Sequence, residues 1–178
     1  ITVQNNSIKR IGLFAGRATK YGGDYTAMSI AGAIENGNVS LNKLDNIGYC
    51  GLIFSKNTWI EYNLVNNFCL TTDDGAAFYT WSNNDLVHRN GSGCIIRHNI
   101  VQNGVGNYEA TPDKVGGANG IYMDDGSGNA LIQDNTVANC PQAGVFLHNS
   151  TNNTVSGNTL FNCSGGPIFM QQDGISST

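Results

Sequence analysis

The sequence has little charge, little proline and no long apolar run. Charged side chains make up 12% of the 178 residues, prolines number 3, and the net charge is −4. That weak acidic balance offers no basic face for a polyanion, so a nucleic-acid partner is not expected. No apolar stretch approaches the roughly 20 residues of a membrane-spanning helix, so no membrane span is expected. The five cysteines, at 50, 69, 94, 140 and 163, lack the short paired spacings of a zinc site. Abundant instead are Gly, at 23 residues, and Asn, Ser and Thr in the turns. With an apolar fraction of 40%, this composition suits a buried core made from many short strands and tight corners. The length fits a single domain over residues 1–178. The sequence opens on Ile1 without a signal peptide, and reads either as a chain that has lost its signal or as a piece of a longer solenoid.

One phrase recurs along the chain. Asn42/Asn46, Asn63/Asn67, Asn99/Asn103, Asn135/Asn139 and Asn158/Asn162 are pairs four apart, and Val39, Ile60, Ile96, Ile132 and Val155 each stand three positions before the first Asn. A weaker copy at Val3, Asn6 and Ile8 has Arg10 in place of the second Asn. Self-similarity at this period predicts a solenoid. The barest coil, from Ala130 to Asn149, reads as a strand over Leu131–Asp134, a corner at Asn135, a strand over Thr136–Ala138, a turn, and a strand over Val145–His148. Three short strands per coil over about six coils predict an all-β parallel β-helix. Asn suits the corner because it tolerates the left-handed backbone conformation, and its amide can bond the Asn above and below in a ladder. Nearly every repeated Asn is therefore read as architecture. Cys140 and Cys163, each five residues after its anchoring Asn, are read as a core column of small apolar side chains in preference to a disulfide.

The phrases Val155-Ser-Gly-Asn-Thr-Leu160 and Ile132-Gln-Asp-Asn-Thr-Val137 resemble the right-handed parallel β-helix repeats of the pectate-lyase-like superfamily, from about Thr2 to Met170. Asp73-Asp-Gly-Ala-Ala-Phe-Tyr-Thr-Trp81 and Gly120-Ile-Tyr-Met-Asp-Asp-Gly-Ser-Gly128 are similar to acidic strand-and-turn motifs of β-helical glycoside hydrolases in secreted bacterial glycan-degrading systems. The resemblance implies a right-handed coil, a polysaccharide or oligosaccharide partner, and a secreted, periplasmic or cell-surface location.

Aligning the third strand of each coil starts the rows at Leu52, Ala77, Ile121, Val145 and Ile168. The fourth column then reads Ser55, Thr80, Asp124, His148 and Gln171, and the fifth Lys56, Trp81, Asp125, Asn149 and Gln172. No other strand collects so many reactive or sugar-binding side chains. A second column, Phe78, Tyr122, Phe146 and Phe169, is expected to be a buried stack, and the relative orientation of Asp124 and Asp125 stays open. Insertions at 16–25, 82–93 and 105–119 fall beside this strand, and the second carries His88 and Arg89.

A glycosidase needs two carboxyl groups across the scissile bond, about 5.5 Å apart for retention or roughly 6.5–9.5 Å for inversion. The expected pairing sets one of Asp73/Asp74 against one of Asp124/Asp125, with Asp74 and Asp124 preferred. His148 would orient or protonate. Trp81, Tyr122 and Tyr79 would offer flat faces to a sugar, with Lys56, His88 and Arg89 as further contacts. The leading expectation is a glycoside hydrolase without cofactor. Two alternatives remain: a polysaccharide lyase with Ca²⁺ on Asp73, Asp74, Asp124 and Asp125 and a cation such as Lys56 or Arg89 as base, or a non-catalytic glycan-binding or structural β-helix of adhesin or tailspike type. Asp-Gly is also a turn signal, so both Asp pairs have a purely structural reading. Sugar identity and oligomeric state are not legible.

Overall fold

The computed structural model describes residues 1–14, 16, 25–30, 32, 36–83, 89–107 and 117–173. Among them eighteen strands run in six coils of three, with no helix. The first coil contributes β1 (Thr2–Gln4), β2 (Ser7–Ile11) and β3 (Met28–Ser29); the second β4 (Gly37–Ser40), β5 (Lys43–Ile47) and β6 (Leu52–Ile53). The third holds β7 (Thr58–Glu61), β8 (Leu64–Phe68) and β9 (Gly75–Trp81), and the fourth β10 (Ile95–Arg97), β11 (Ile100–Gly104) and β12 (Ala118–Asp124). The last two are β13 (Leu131–Gln133), β14 (Thr136–Ala138) and β15 (Val145–His148), then β16 (Thr154–Ser156), β17 (Thr159–Phe161) and β18 (Ile168–Gln171). Equivalent strands pair in parallel, giving three six-stranded sheets in the orders β1-β4-β7-β10-β13-β16, β2-β5-β8-β11-β14-β17 and β3-β6-β9-β12-β15-β18.

Alternation along each short strand sends one apolar column inward per sheet. Val39, Ile60, Ile96 and Ile132 stack in the first sheet, and Leu44, Val65, Val101 and Val137 in the second, all at 1% exposure or less. Parallel pairing in register makes these columns continuous, so each coil buries its apolar side chains against its neighbours rather than against itself.

The anchoring Asn residues form a ladder through the corner between the first and second sheets. Backbone N–H groups of Asn6, Asn42, Asn63, Asn99 and Asn135 each donate to the Oδ1 of the Asn in the next coil, at 2.9–3.1 Å. Each Nδ2 from Asn42 to Asn158 also reaches back to a carbonyl of the preceding coil, from Val3 through Ile132. The left-handed backbone, however, does not sit on these anchors. It falls on the residue before each anchor, Leu41, Tyr62, His98 and Asp134 among them, and on the second Asn of each phrase, with φ of 59°, 53°, 61°, 57° and 52° at Asn46, Asn67, Asn103, Asn139 and Asn162. Arg10 adopts φ 58° at the same place, which makes the weak first copy a full coil. The anchor is selected for its two-way hydrogen bonding and the second Asn for its tolerance of positive φ.

In the third sheet, Phe78 pairs with both Leu52 and Ile121, so the β9 row is displaced by one residue from the sequence alignment. The cause lies one residue before Phe78. Gly51, Gly120 and Gly144 hold one position in three of the coils, where β9 carries Ala77 and the first and last coils carry Ala27 and Pro167. A Cβ on Gly120 would lie against the Val137 side chain and the Gly144 carbonyl, which is why that corner of the later coil is glycine.

Candidate active site on the outer face of the third sheet

With β9 in its true register, Thr80 turns inward at 0% exposure beneath Met123, and Trp81 takes its place level with Asp124. The inward columns of this sheet begin with Leu52, Phe78, Ile121 and Val145, all at 0% exposure. The aromatic column is therefore Tyr79, Tyr122, Phe146 and Phe169, without Phe78, and it lies on the outer face. Ring centroids step by 5.2, 4.6 and 5.0 Å from one coil to the next. Tyr122 and Phe146 are nevertheless buried, because stacked neighbours and the small side chains Ala76 and Ala143 enclose them. Tyr122 is thus a wall rather than an open sugar platform. Trp81, at 48% exposure, is an open one.

Beyond the aromatic ladder lies a polar cluster at the end of the strands. Asp124 is the last residue of β12 and projects outward beside His148 of β15. A continued strand would send Asp125 inward, but β12 stops and a turn begins at Asp125, bringing both carboxylates to the same ring. His148 Nδ1 lies 2.7 Å from Asp124 Oδ1 and 3.6 Å from Asp125 Oδ1, and its Nε2 lies 2.7 Å from Asp173 Oδ2. Asp124 also accepts from the Tyr79 hydroxyl at 2.8 Å and from the Asp125 N–H at 2.9 Å. Asn149 donates to Asp125 at 2.7 Å and accepts from the Asp173 N–H at 2.8 Å, while Gln171 donates to Asp173 at 2.9 Å. Asp125 is the more accessible of the paired carboxyls, with 32% of its side chain exposed against 12% for Asp124.

Burial of the His148 ring works against its charge, yet hydrogen bonds to Asp173 and Asp124 and the nearby charge of Asp125 outweigh it and lift the pKa above the usual histidine value. Asp173 is held below its ordinary range, first by its hydrogen bond to His148 and then by Gln171. Burial raises the Tyr79 and Tyr122 phenols, and the charge of Asp124 raises them further, so both remain protonated and Tyr79 is a fixed donor. The cluster can thus hold three carboxylates, two of them on one side of the ring, around one imidazolium beside an exposed indole. Ligand atoms of Asp124, Asp125 and His148 lie within 4.8 Å of one another, a span that a single cation could bridge.

The structure does not bring Asp73 and Asp74 to this place. They form the turn leading into β9, at the opposite end of the strand from Trp81 and Asp124. The seven residues of β9 thus separate Asp74 from the level of Asp124. The structure therefore sets Asp124 beside Asp125 rather than beside Asp74, and the four acids do not form one oxygen cage for Ca²⁺. Asp73 is buried at 1% exposure, and Asp74 sits at φ 54° with its carbonyl accepting from the Tyr49 hydroxyl at 2.8 Å. Both belong to the corner.

Arg89 does approach the site, donating from its guanidinium to the Thr151 hydroxyl just beyond His148. Lys56 is half-buried and level with Asp125 but two coils away, about 10 Å at the parallel strand spacing. His88 lies outside the described residues, as do most residues of the three insertions. Asp173 was missed in the sequence because it falls beyond the last strand, where the repeat supplies no register.

Three stacked parallel sheets, inward apolar columns and an Asn ladder define a solenoid of the β-helix class, and the chain belongs to the right-handed β-helix family, whose description as a right-handed beta helix region matches residues 1–178. Among solved structures it is similar to the Streptococcus pneumoniae surface protein and adhesin PfbA, at 16% identity and a TM-score of 0.46 over 96% of this chain and 48% of that one. The chain thus spans about half the length of that structure. No curated protein matches it. Among the described residues, no helix is long and apolar enough to cross a membrane.

Proposed function

We propose that this β-helix is a carbohydrate-active enzyme, a glycoside hydrolase acting at the Asp124–Asp125–His148 cluster on a secreted, periplasmic or cell-surface polysaccharide. The observation that carries the reading is the convergence of two carboxylates on one imidazole, with the exposed ring of Trp81 level with Asp124. Hydrolysis through an oxocarbenium-like transition state requires one carboxyl to exchange a proton with the glycosidic oxygen and another to face the developing positive charge. Asp125, the more accessible group, takes the first role. Asp124, held by three donors, takes the second, and His148 fixes both. Trp81 supplies the flat apolar face on which a pyranose ring packs.

The test is a panel of neutral and uronic-acid polysaccharides assayed for new reducing ends. Hydrolysis predicts reducing ends without the ultraviolet absorbance of an unsaturated uronide, unaffected by chelator, and a fall in kcat of about 10²–10⁴ for Asp124→Asn. An absorbing product that disappears with chelator would make the protein a lyase. Polysaccharide binding without turnover in the wild type would make it a binding module.

A further inference from the structure

The Cys140–Cys163 pair lies apart from the polar cluster, in the second sheet's corner. β14 and β17 pair with Ala138 opposite Phe161, and the register continues through the corner. The Asn139 N–H donates to the Phe161 carbonyl at 3.3 Å and the Ser164 N–H to the Cys140 carbonyl at 3.2 Å. Cys163 therefore sits directly on Cys140, with Cα atoms about 5 Å apart, inside the roughly 4.4–6.8 Å that a disulfide bridges. Coils below fill the same column differently. Gly104 lies beneath Cys140, and a Cβ there would meet the ring of Phe68 at 2.8 Å. Cys140 is thus closed off from that side at 1% exposure, whereas Cys163 is half-buried and reachable.

We propose that Cys140 and Cys163 are a thiol modification site that closes to a disulfide between the fifth and sixth coils by exchange with a small external disulfide. Both are free thiols in the structure, and each donates to the carbonyl two residues before it, Cys140 to Ala138 at 3.7 Å and Cys163 to Phe161 at 3.5 Å. The two stacked sulfurs influence each other: Cys140 holds the Cys163 thiol below its ordinary value against the opposing effect of burial, and Cys163 together with burial raises Cys140. The reachable sulfur ionises more readily than the buried one, the division of labour of an attacking and a resolving cysteine. Cys163 attacks one sulfur of the external disulfide and releases one thiolate. Once Cys163 is capped, Cys140 loses the negative neighbour that suppresses its ionisation. Its sulfur, on giving up the proton, attacks Cys163 Sγ and releases the second thiolate. Two protein thiols are oxidised by two electrons, one external disulfide is reduced to two thiols, and the two protein protons pass to the leaving groups. The product ties neighbouring coils together, a form suited to an oxidising compartment.

Incubating the reduced chain with oxidised glutathione tests this directly. The expected product is lighter by two hydrogens, retains three titratable thiols of the original five after unfolding, and yields a proteolytic fragment joining Cys140 to Cys163. Its thermal midpoint rises by about 5–10 °C and falls back with dithiothreitol. Cys140→Ser stops at a single glutathione on Cys163, and Cys163→Ser takes up none. An unchanged mass, a glutathione adduct that persists on the wild type, or a bridge to any other cysteine overturns the proposal.

Discussion

Replacing Asn99 with Ala tests how much the solenoid depends on its Asn ladder. Asn99 is 1% exposed at the centre of the ladder. Its Oδ1 accepts from the Asn63 N–H at 2.9 Å and from Asn63 Nδ2 at 3.0 Å; its Nδ2 donates to the Ile60 and Arg97 carbonyls and to Asn135 Oδ1, at 2.8, 3.0 and 3.0 Å. Alanine removes all five bonds. Asn63 Nδ2 retains the Val39 carbonyl and Asn135 Oδ1 retains the Asn99 N–H, so the largest losses fall on the Asn63 N–H and the Ile60 carbonyl. At about 1–3 kcal/mol for each buried group left unmade, the expected destabilisation is about 4 kcal/mol. For a domain of this size that corresponds to a fall in thermal midpoint of about 8–16 °C. Asn139→Gly is the comparison: it deletes two exposed ladder bonds, to Asn103 and from Asn162, while glycine keeps the φ of 57° without strain. That change is expected to cost about 1 kcal/mol or less. Urea and thermal melts followed by circular dichroism measure both. Equal losses, or an Asn99→Ala protein within about 1 kcal/mol of wild type, would refute the ladder as the main polar support of the corner.

His148 makes stability pH-dependent in a defined window. Its pKa is raised on folding, so its contribution is complete below the unfolded value of about 6.5 and fades as pH rises through the folded value; Asp173 is lowered, so its contribution is present above about 3.9 and lost as pH falls. The gap in urea midpoint between wild type and His148→Gln is therefore widest between about pH 4 and 6.5, and a gap that widens from pH 6 to 9 contradicts the assignment. Gly120→Ala pushes a methyl into the Val137 side chain and the Gly144 carbonyl, and is expected to cost about 1–3 kcal/mol. An unchanged midpoint would show that this corner yields, as the Ala77 corner does.

The fold was legible because the Asn phrase and its preceding aliphatic repeat at a fixed offset, and the strands of the barest coil fall within a residue of their expected ends. Legibility failed where the repeat changes composition. Ala77 stands where the coils on either side have glycine, so the β9 row slipped by one, exchanging Thr80 for Trp81 and placing Phe78 in an aromatic column that belongs to Tyr79. Because side chains alternate along a strand, that single slip also hid which face carries the aromatics. Asp124 and His148 were found because they share a true column. Their convergence with Asp125 depends on β12 ending at Asp124, which an Asp-Asp-Gly sequence suggests only as a turn. The placement of Asp73 and Asp74 away from Asp124 was not legible because neighbouring in the coil order says nothing about which end of a seven-residue strand a residue occupies. Asp173 follows the last strand, and nothing in the repeat points to it.

The central claim is that chemistry belongs to the Asp124 end of the third sheet and not to the Asp74 end. The most direct measurement is kcat on one hydrolysed polysaccharide for Asp125→Asn and Asp74→Asn side by side, each preserving side-chain size, with Asn also tolerating the positive φ at residue 74. The account predicts a fall of about 10²–10⁴ for Asp125→Asn and wild-type turnover for Asp74→Asn. Turnover lost in Asp74→Asn, or kept in Asp125→Asn, would contradict it.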